Sequence, residues 1–221
     1  MSALILGIDD AGRGPVIGPM LLAGCILEEE IKKELKALGV RDSKQLTQKR
    51  REFLEKIIKE KSKGFETVVI SPEDIDKKNG DGINLNHLEA LAAAEIINKL
   101  NKGKEKIKVV IDCPSTSILK WTDCLKMNVE NLSNLEISCE HKADRNHVAV
   151  SAASILAKCA REREMEKLKK EFGPEIGSGY TSDPRTKKFL AKNVGNHRKI
   201  FRKSWSTWKK AHSDSCQKKL F

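Results

Sequence analysis

The stretch from Leu4 to Pro19, LILGIDDAGRGPVIGP, constrains this chain more than any other. Leu4, Ile5, Leu6 and Ile8 form an apolar run long enough for a buried strand and too short for a helix. The strand ends on two adjacent carboxylates, Asp9 and Asp10. The chain then enters Gly12-Arg13-Gly14-Pro15, too rich in Gly and Pro for regular structure. Like charges side by side at a buried strand end are unfavourable unless something positive stands beside them, and a divalent cation is the obvious candidate. A Gly-rich turn with solvated acids would explain the stretch if it stood alone. Phosphate cradling fares worse. The spacing of Gly12, Gly14 and Gly18 misses G-x-G-x-x-G by one, no Gly-Lys-Ser/Thr follows, and two carboxylates would repel a phosphate.

At 221 residues the chain can hold one sizeable core, or a domain with a smaller appendage. Lys plus Arg number 42 against 31 acids, a net charge of +11, which favours an anionic polymer such as nucleic acid over an acidic or neutral partner. A Lys-rich solvated surface is the bland alternative. The six cysteines form no C-x-x-C pair and several sit in apolar segments, as small core residues do. Cys139 and His141 alone do not make a zinc site. No apolar run approaches ~20 residues and no signal peptide precedes the first strand, so a reduced, cytoplasmic protein without a membrane span is expected.

Along the chain, Gly18 to Leu27 reads as a second strand antiparallel to the first. Glu28 to Leu38 reads as a helix stopped by Gly39. Thr47 caps a helix striped by Phe53, Leu54, Ile57 and Ile58, and Glu66 to Ile70 is a strand. Residues 71 to 83 read as a turn-rich loop, followed by an Ala- and Leu-rich helix to about Leu100. Ile107 to Ile111 is an apolar run but for Lys108, hence a central strand, and it ends on Asp112. Residues 115 to 134 carry only a weak helical stripe. Leu135 to Cys139 is a further strand leading into Glu140-His141-Lys142-Ala143-Asp144. From His147 the chain reads as Ala- and Ser-rich turns that become a charged helix at Arg161 and stop at Gly173. A Gly-rich loop holds Tyr180, the one tyrosine of the sequence. A short helix follows, then a basic stretch with Trp205 and Trp208, and residues 213 to 221 read as a tail. The order implies an α/β fold, a mixed sheet covered by helices with a helical C-terminal part.

Asp9, Asp112 and Asp144 share one property: each stands at or just after the end of an apolar strand, where ligands gather in open α/β sheets. Singly, each has a bland explanation, since Asp112 can open a turn before Pro114 and Asp144 can cap a helix. Taken with Asp10 they form a carboxylate-only set, and hard oxygen ligands select Mg²⁺ or Mn²⁺. Such a set can hold two ions ~4 Å apart for an in-line displacement.

GIDDAGRGPVIGP resembles the opening motif of the ribonuclease HII family, G-I-D-E-A-G-R-G, with Asp10 in place of the family's Glu. Asp42-Ser43-Lys44-Gln45-Leu46 resembles the family's D-S-K-x-L, and Ile111-Asp112 its second acidic strand. Glu140 to Asp144 resembles E-H-K-A-D, Ser151 to Lys158 the A-A-S-I-x-A-K helix, and Gly177 to Pro184 G-S-G-Y-x-S-D-P. The motifs keep the family's order and span residues 7 to about 208. The resemblance implies a ribonuclease H-like fold and an endonuclease that cuts the RNA of RNA–DNA hybrids, single ribonucleotides in duplex DNA included, leaving 3′-OH and 5′-phosphate ends. It implies that Asp9, Asp10, Asp112 and Asp144 hold two Mg²⁺ or Mn²⁺ ions. Gly12, Arg13 and Gly14 would contact the ribonucleotide, their backbone groups reading its 2′-OH, and Tyr180 would pack on the next sugar. Lys44 would contact a phosphate, Asn84 and Asn86 the opposite strand, and the basic residues of 197 to 210 the backbone. A catalytic domain over 1–175, a junction-reading and basic part over 176–212 and a tail over 213–221 are expected. Gln217 to Phe221 resembles a shortened sliding-clamp-binding peptide. A junction resolvase of the same fold class, or a non-catalytic basic nucleic-acid-binding module, are the rival readings.

Overall fold

The structure is a computed structural model that describes residues 4–40 and 46–217. Its sheet is built from β1 (Leu4–Ala11), β2 (Met20–Leu27), β3 (Gly64–Ile70), β4 (Ile107–Asp112) and β5 (Leu135–Glu140), in the order β3-β2-β1-β4-β5. β1 lies at the centre. It runs antiparallel to β2, with Ile8 opposite Gly24, and parallel to β4, with Ile8 opposite Ile111. β4 in turn runs parallel to β5. A strand covered on both faces has no solvent side, which is why β2 is buried at every position and reads as an apolar run.

Among the described residues the helices are α1 (Glu29–Ala37), α2 (Gln48–Lys61), α3 (Pro72–Gly80), α4 (Leu85–Leu100), α5 (Ile118–Met127), α6 (Ala143–Asn146), α7 (Val148–Phe172), α8 (Pro184–Asn193) and α9 (Ser206–Gln217). Two glycines in the sheet let helices lie directly on it. A Cβ on Gly7 of β1 would stand 2.1 Å from the backbone carbon of Ala149, so α7 sits on that face at backbone contact. A Cβ on Gly24 of β2 would stand 2.5 Å from Ile96, so α4 takes the other face. Ala149, Ala152, Ala153, Ile155 and Leu156 of α7 share a buried cluster with Cys25, Leu27, Leu35, Leu54 and Ile58. No described helix is long and apolar enough to cross a membrane.

The structure corrects or resolves the sequence reading in four places. Residues 72–80 of the expected loop form α3, because Ser71 and Asp74 make a reciprocal capping box and Pro72 occupies the first turn. The turns expected after His147 are instead the start of α7, which runs unbroken for 25 residues. Its first half lacks an amphipathic stripe because nearly every position there is buried, and Ala is the strongest helix former. The weakly striped 115–134 region contains α5, and α9 extends through residues 213–217. Thr47 caps α2 as expected, accepting from the Arg50 amide at 3.3 Å.

The chain divides into two compact units. The first comprises residues 1–11, 21–68 and 86–160 and contains most of the sheet. The second gathers 12–20, 69–85 and 161–221. Its core is Val16, Ile17, Met165, Ile176, Phe189, Leu190, Ile200 and Phe201, with Trp205 and Trp208 packed against it.

Candidate active site

In the first unit, Asp9 and Asp112 stand one residue beyond the paired Ile8 and Ile111, at the same level of adjacent parallel strands. Asp9 is buried on the α7 side, hydrogen-bonded to Ser154 of that helix, and its Oδ1 accepts from the Asp10 amide at 2.8 Å. Successive side chains of a strand alternate in face, so Asp10 leaves β1 on the opposite side and is half-buried. Burial first, then the charges of Asp10 and Asp112, push the Asp9 carboxyl from 3.8 up to about 8, with the Ser154 and Asp10 hydrogen bonds working in the other direction.

The ends of β4 and β5 are stitched together. The Cys113 amide donates to the Glu140 carbonyl at 2.8 Å, His141 Nδ1 lies 2.9 Å from the Cys113 carbonyl, and the Ala143 amide donates to Asp112 Oδ1 at 3.0 Å. Lys142, at φ 58° and ψ 36°, makes the left-handed step from β5 into α6, whose first turn carries the buried Asp144. His147 Nε2 lies 2.9 Å from Glu140 Oε2 and Ser138 donates to Glu140 Oε1 at 3.0 Å. His147 holds the Glu140 carboxyl below the usual carboxylate range. All four predicted carboxylates therefore belong to this unit, on β1, β4 and α6. Among the described residues, no three His, Cys, Asp or Glu side chains converge as a ready metal cage. The donor chemistry nevertheless fits a hard divalent cation: oxygen ligands only, with the Asp9 carboxyl pushed up by burial and then by the charges of Asp10 and Asp112.

The second unit holds the loop Gly12–Pro19 and Tyr180. Gly12 (φ 82°) lies against Arg161: a Cβ there would fall 2.3 Å from Arg161 Nε. Arg161 donates from Nη2 to the Ser178 carbonyl at 3.0 Å, and its guanidinium carbon sits 5.2 Å from the centroid of the Tyr180 ring. The Val16 amide donates to the Gly179 carbonyl at 2.9 Å, joining the two loops by their backbones. Gly14 is exposed, with Tyr180 Cε1 3.6 Å from where its Cβ would be. Asp183 accepts from the amides of Ser178 (2.8 Å) and Arg185 (2.9 Å) and is held well below the usual range, chiefly by the Arg185 side chain. The structure thus brings Gly12, Gly14 and Tyr180 close together, with Arg13 between the two glycines.

Asn84 immediately precedes α4 and Asn86 lies in its first turn. Lys44, with the rest of its motif from Asp42 to Gln45, lies outside the described residues. So do residues 218–221 of the tail. Sequence reasoning passed over Ser154, Arg161 and Arg202. Arg202 was grouped with the basic backbone contacts of 197 to 210, yet it is fully buried, so it touches no external strand. The available signal was its place directly after the apolar pair Ile200-Phe201.

A mixed five-stranded sheet flanked by helices, with acids at the carboxyl ends of its central parallel strands, defines the ribonuclease H-like class of nucleases. The sequence pattern of the family described as Ribonuclease HII matches residues 6–208. A ribonuclease HII of Methanococcus maripaludis is 45% identical over 221 residues, spanning 99% of this chain and 90% of the relative. The crystal structure of ribonuclease H2 from Pyrococcus horikoshii superposes with a TM-score of 0.85 at 35% identity, covering 96% of this chain and 98% of that one. Ribonuclease HII of Archaeoglobus fulgidus, solved in complex with PCNA, superposes with a TM-score of 0.79 at 37% identity, covering 92% and 95%. The chain belongs to the ribonuclease HII family. It is a divalent-metal-dependent endoribonuclease of the ribonuclease H type, acting on RNA–DNA hybrids.

Proposed function

We propose that the enzyme also cuts at single ribonucleotides embedded in duplex DNA, using two divalent ions held by Asp9, Asp10, Asp112 and Asp144 and leaving 3′-OH and 5′-phosphate ends. The observation that carries the catalytic part is Asp9, a carboxyl raised to about 8 first by burial and then by the acids beside it at the ends of β1 and β4. Such a group is poised to exchange its proton for a cation. Bound there, Mg²⁺ or Mn²⁺ supplies activation of the attacking water and stabilisation of the departing oxygen. The chain's own part is to fix the ligands. Ser154 and the Asp10 amide orient Asp9, the Ala143 amide orients Asp112, and the turn at Lys142 sets Asp144.

On this reading the backbone of Gly12, Arg13 and Gly14 reads the 2′-OH, and Tyr180, backed by Arg161, packs on the sugar that follows. Lys44 takes a nearby phosphate, and Asn84 and Asn86 take the opposite strand. The net charge of +11 adds affinity without sequence preference. We assign Gln217 to Phe221 to a sliding clamp, supported by the PCNA complex of the 37% identical A. fulgidus enzyme. We assign the protein to the cytoplasm, a reading that its six free thiols support. The decisive experiment offers a DNA duplex with one ribonucleotide, an RNA–DNA hybrid and a four-way junction, each with Mg²⁺ or Mn²⁺. Cutting of the first two and not the junction is expected. Cutting of the hybrid alone would remove the embedded-ribonucleotide claim, and cutting of the junction would favour a resolvase.

A further inference from the structure

Arg202 is the largest fully buried side chain among the described residues. Its guanidinium donates from Nη2 to the Gly12 carbonyl at 2.6 Å, from Nη1 to the Arg13 carbonyl at 2.8 Å and from Nε to the Gly18 carbonyl at 3.0 Å. Its guanidinium carbon lies 5.0 Å from the centroid of the Trp205 ring, and Trp205 Nε1 donates to the Gly14 carbonyl at 3.2 Å. One side chain and its stacking partner therefore hold four carbonyls of a seven-residue loop. A charged group is costly to bury, and a planar fork satisfied by three fixed acceptors is the arrangement that tolerates it.

The consequence follows from peptide geometry. In a trans peptide the C=O of one residue and the N–H of the next point in opposite directions. Drawing the carbonyls of Gly12 and Arg13 toward Arg202 turns the amides of Arg13 and Gly14 away from it, and Gly14 is exposed. Successive amides aimed the same way form a concavity that accepts an oxygen ligand. Trp205 repeats the operation on the Gly14 carbonyl; Pro15 follows it and has no N–H to present.

We propose that Arg202 is a positioning residue for ribonucleotide specificity, a brace beneath the Gly12–Gly18 loop that fixes the amide directions by which a ribose hydroxyl is told from a deoxyribose. This rests on the reading of Gly12 to Gly14 given above. Arg202 itself touches no substrate. Lys in its place keeps the charge, presents donors from a single nitrogen and cannot span the three carbonyls.

The test is a ratio. In an Asp112→Asn background, which spares the substrate, binding is measured to a duplex with one ribonucleotide and to the same duplex in all-DNA form. Arg202→Lys should reduce the preference for the ribonucleotide by about tenfold, while all-DNA affinity stays within about twofold, because the exposed basic surface is unchanged. In the cleaving enzyme the same variant should lower kcat/KM on the ribonucleotide substrate by a similar factor, with KM raised, because the lost contact already operates in binding. A merely structural role would weaken both duplexes alike. Trp205→Phe, which removes one donor and keeps the ring, should reduce the preference about threefold and carries the decision if Arg202→Lys does not fold. A folded variant that keeps the parent's preference within about twofold overturns the brace. A parent that binds both duplexes equally overturns the reading of the loop itself, and the brace with it.

Discussion

Replacing Asp9 with Asn should flatten the pH dependence of stability of the ion-free enzyme. In the fold the Asp9 carboxyl titrates at about 8 instead of 3.8, chiefly through burial. The folded state therefore holds this proton more tightly than the unfolded chain does. The group's stabilising contribution is complete below about pH 4 and is lost as the pH rises through about 8. Each pH unit inside that window is worth up to ~1.4 kcal/mol. From about pH 6 to about pH 8 the loss comes to roughly 2 kcal/mol, less than two full units because the group is half ionised at the upper limit. For a chain of this length each kcal/mol moves Tm by ~2–4 °C. Asn has the same outline and no titrating proton. With a chelator present, the Tm of Asp9→Asn relative to the parent should climb by ~4–8 °C across that interval. Adding Mn²⁺ or Mg²⁺ should raise the parent's Tm more at the higher pH, where the ion has less proton to displace, and should barely move the variant. Calorimetric scans at the two pH values measure both effects. If the gap between parent and variant is constant or shrinks with pH, Asp9 is already ionised in the fold and the need for a cation has been misjudged.

Asp112→Asn and Asp144→Asn should each abolish cleavage while leaving hybrid binding within about threefold, since the basic surface persists; gel-shift and cleavage assays run side by side decide it, and retained cutting removes that carboxylate from the chemistry. Tyr180→Ala should slow cutting at a lone ribonucleotide roughly ten- to hundredfold, a stacking loss of ~1–3 kcal/mol, and leave binding of plain duplex DNA nearly unchanged. Asp10→Glu restores a methylene, and because Mg²⁺ tolerates little error around ~2.1 Å, Mg²⁺-supported activity should rise about tenfold and narrow any advantage of Mn²⁺; a neutral or harmful effect in Mg²⁺ titrations would show a site built around the shorter acid. Gly7→Ala should cost ~1–3 kcal/mol or more in denaturant melts, because the new methyl collides with the backbone of α7.

Much of this was legible in the sequence because it rests on local rules. β1 announced itself by its apolar start and β4 by an apolar run interrupted only at Lys108, and their carboxyl-end acids fell where an α/β sheet gathers ligands. The unread parts fail for identifiable reasons. α3 buries only Pro72 and Ile75, so it shows no stripe, and the Ser71–Asp74 capping box was its one signature. The first half of α7 was obscured by the opposite condition, burial on nearly every side. Ser154 and Arg202 act through partners far away in sequence, such as Asp9 for the first and Gly12 for the second, and no spacing rule connects positions so remote. The grouping of residues 12–20 and 69–85 with 161–221 is likewise a tertiary fact.

The two glycines that flank Arg13 carry different histories. Gly12 is fixed by the fold twice over, by a positive φ and by the arginine pressed against its α-carbon. A descendant that had lost every trace of nuclease activity would still need glycine there, so persistence at that position says nothing of a ligand. Gly14 has an ordinary φ, and a Cβ there would meet Tyr180 at an ordinary van der Waals distance of 3.6 Å, so the fold by itself would accept alanine. On the proposed reading, it is the bound ribonucleotide that would forbid a side chain at Gly14. In any lineage drifting away from nucleic acid, position 14 should vary first, and its retention is the better fossil of function.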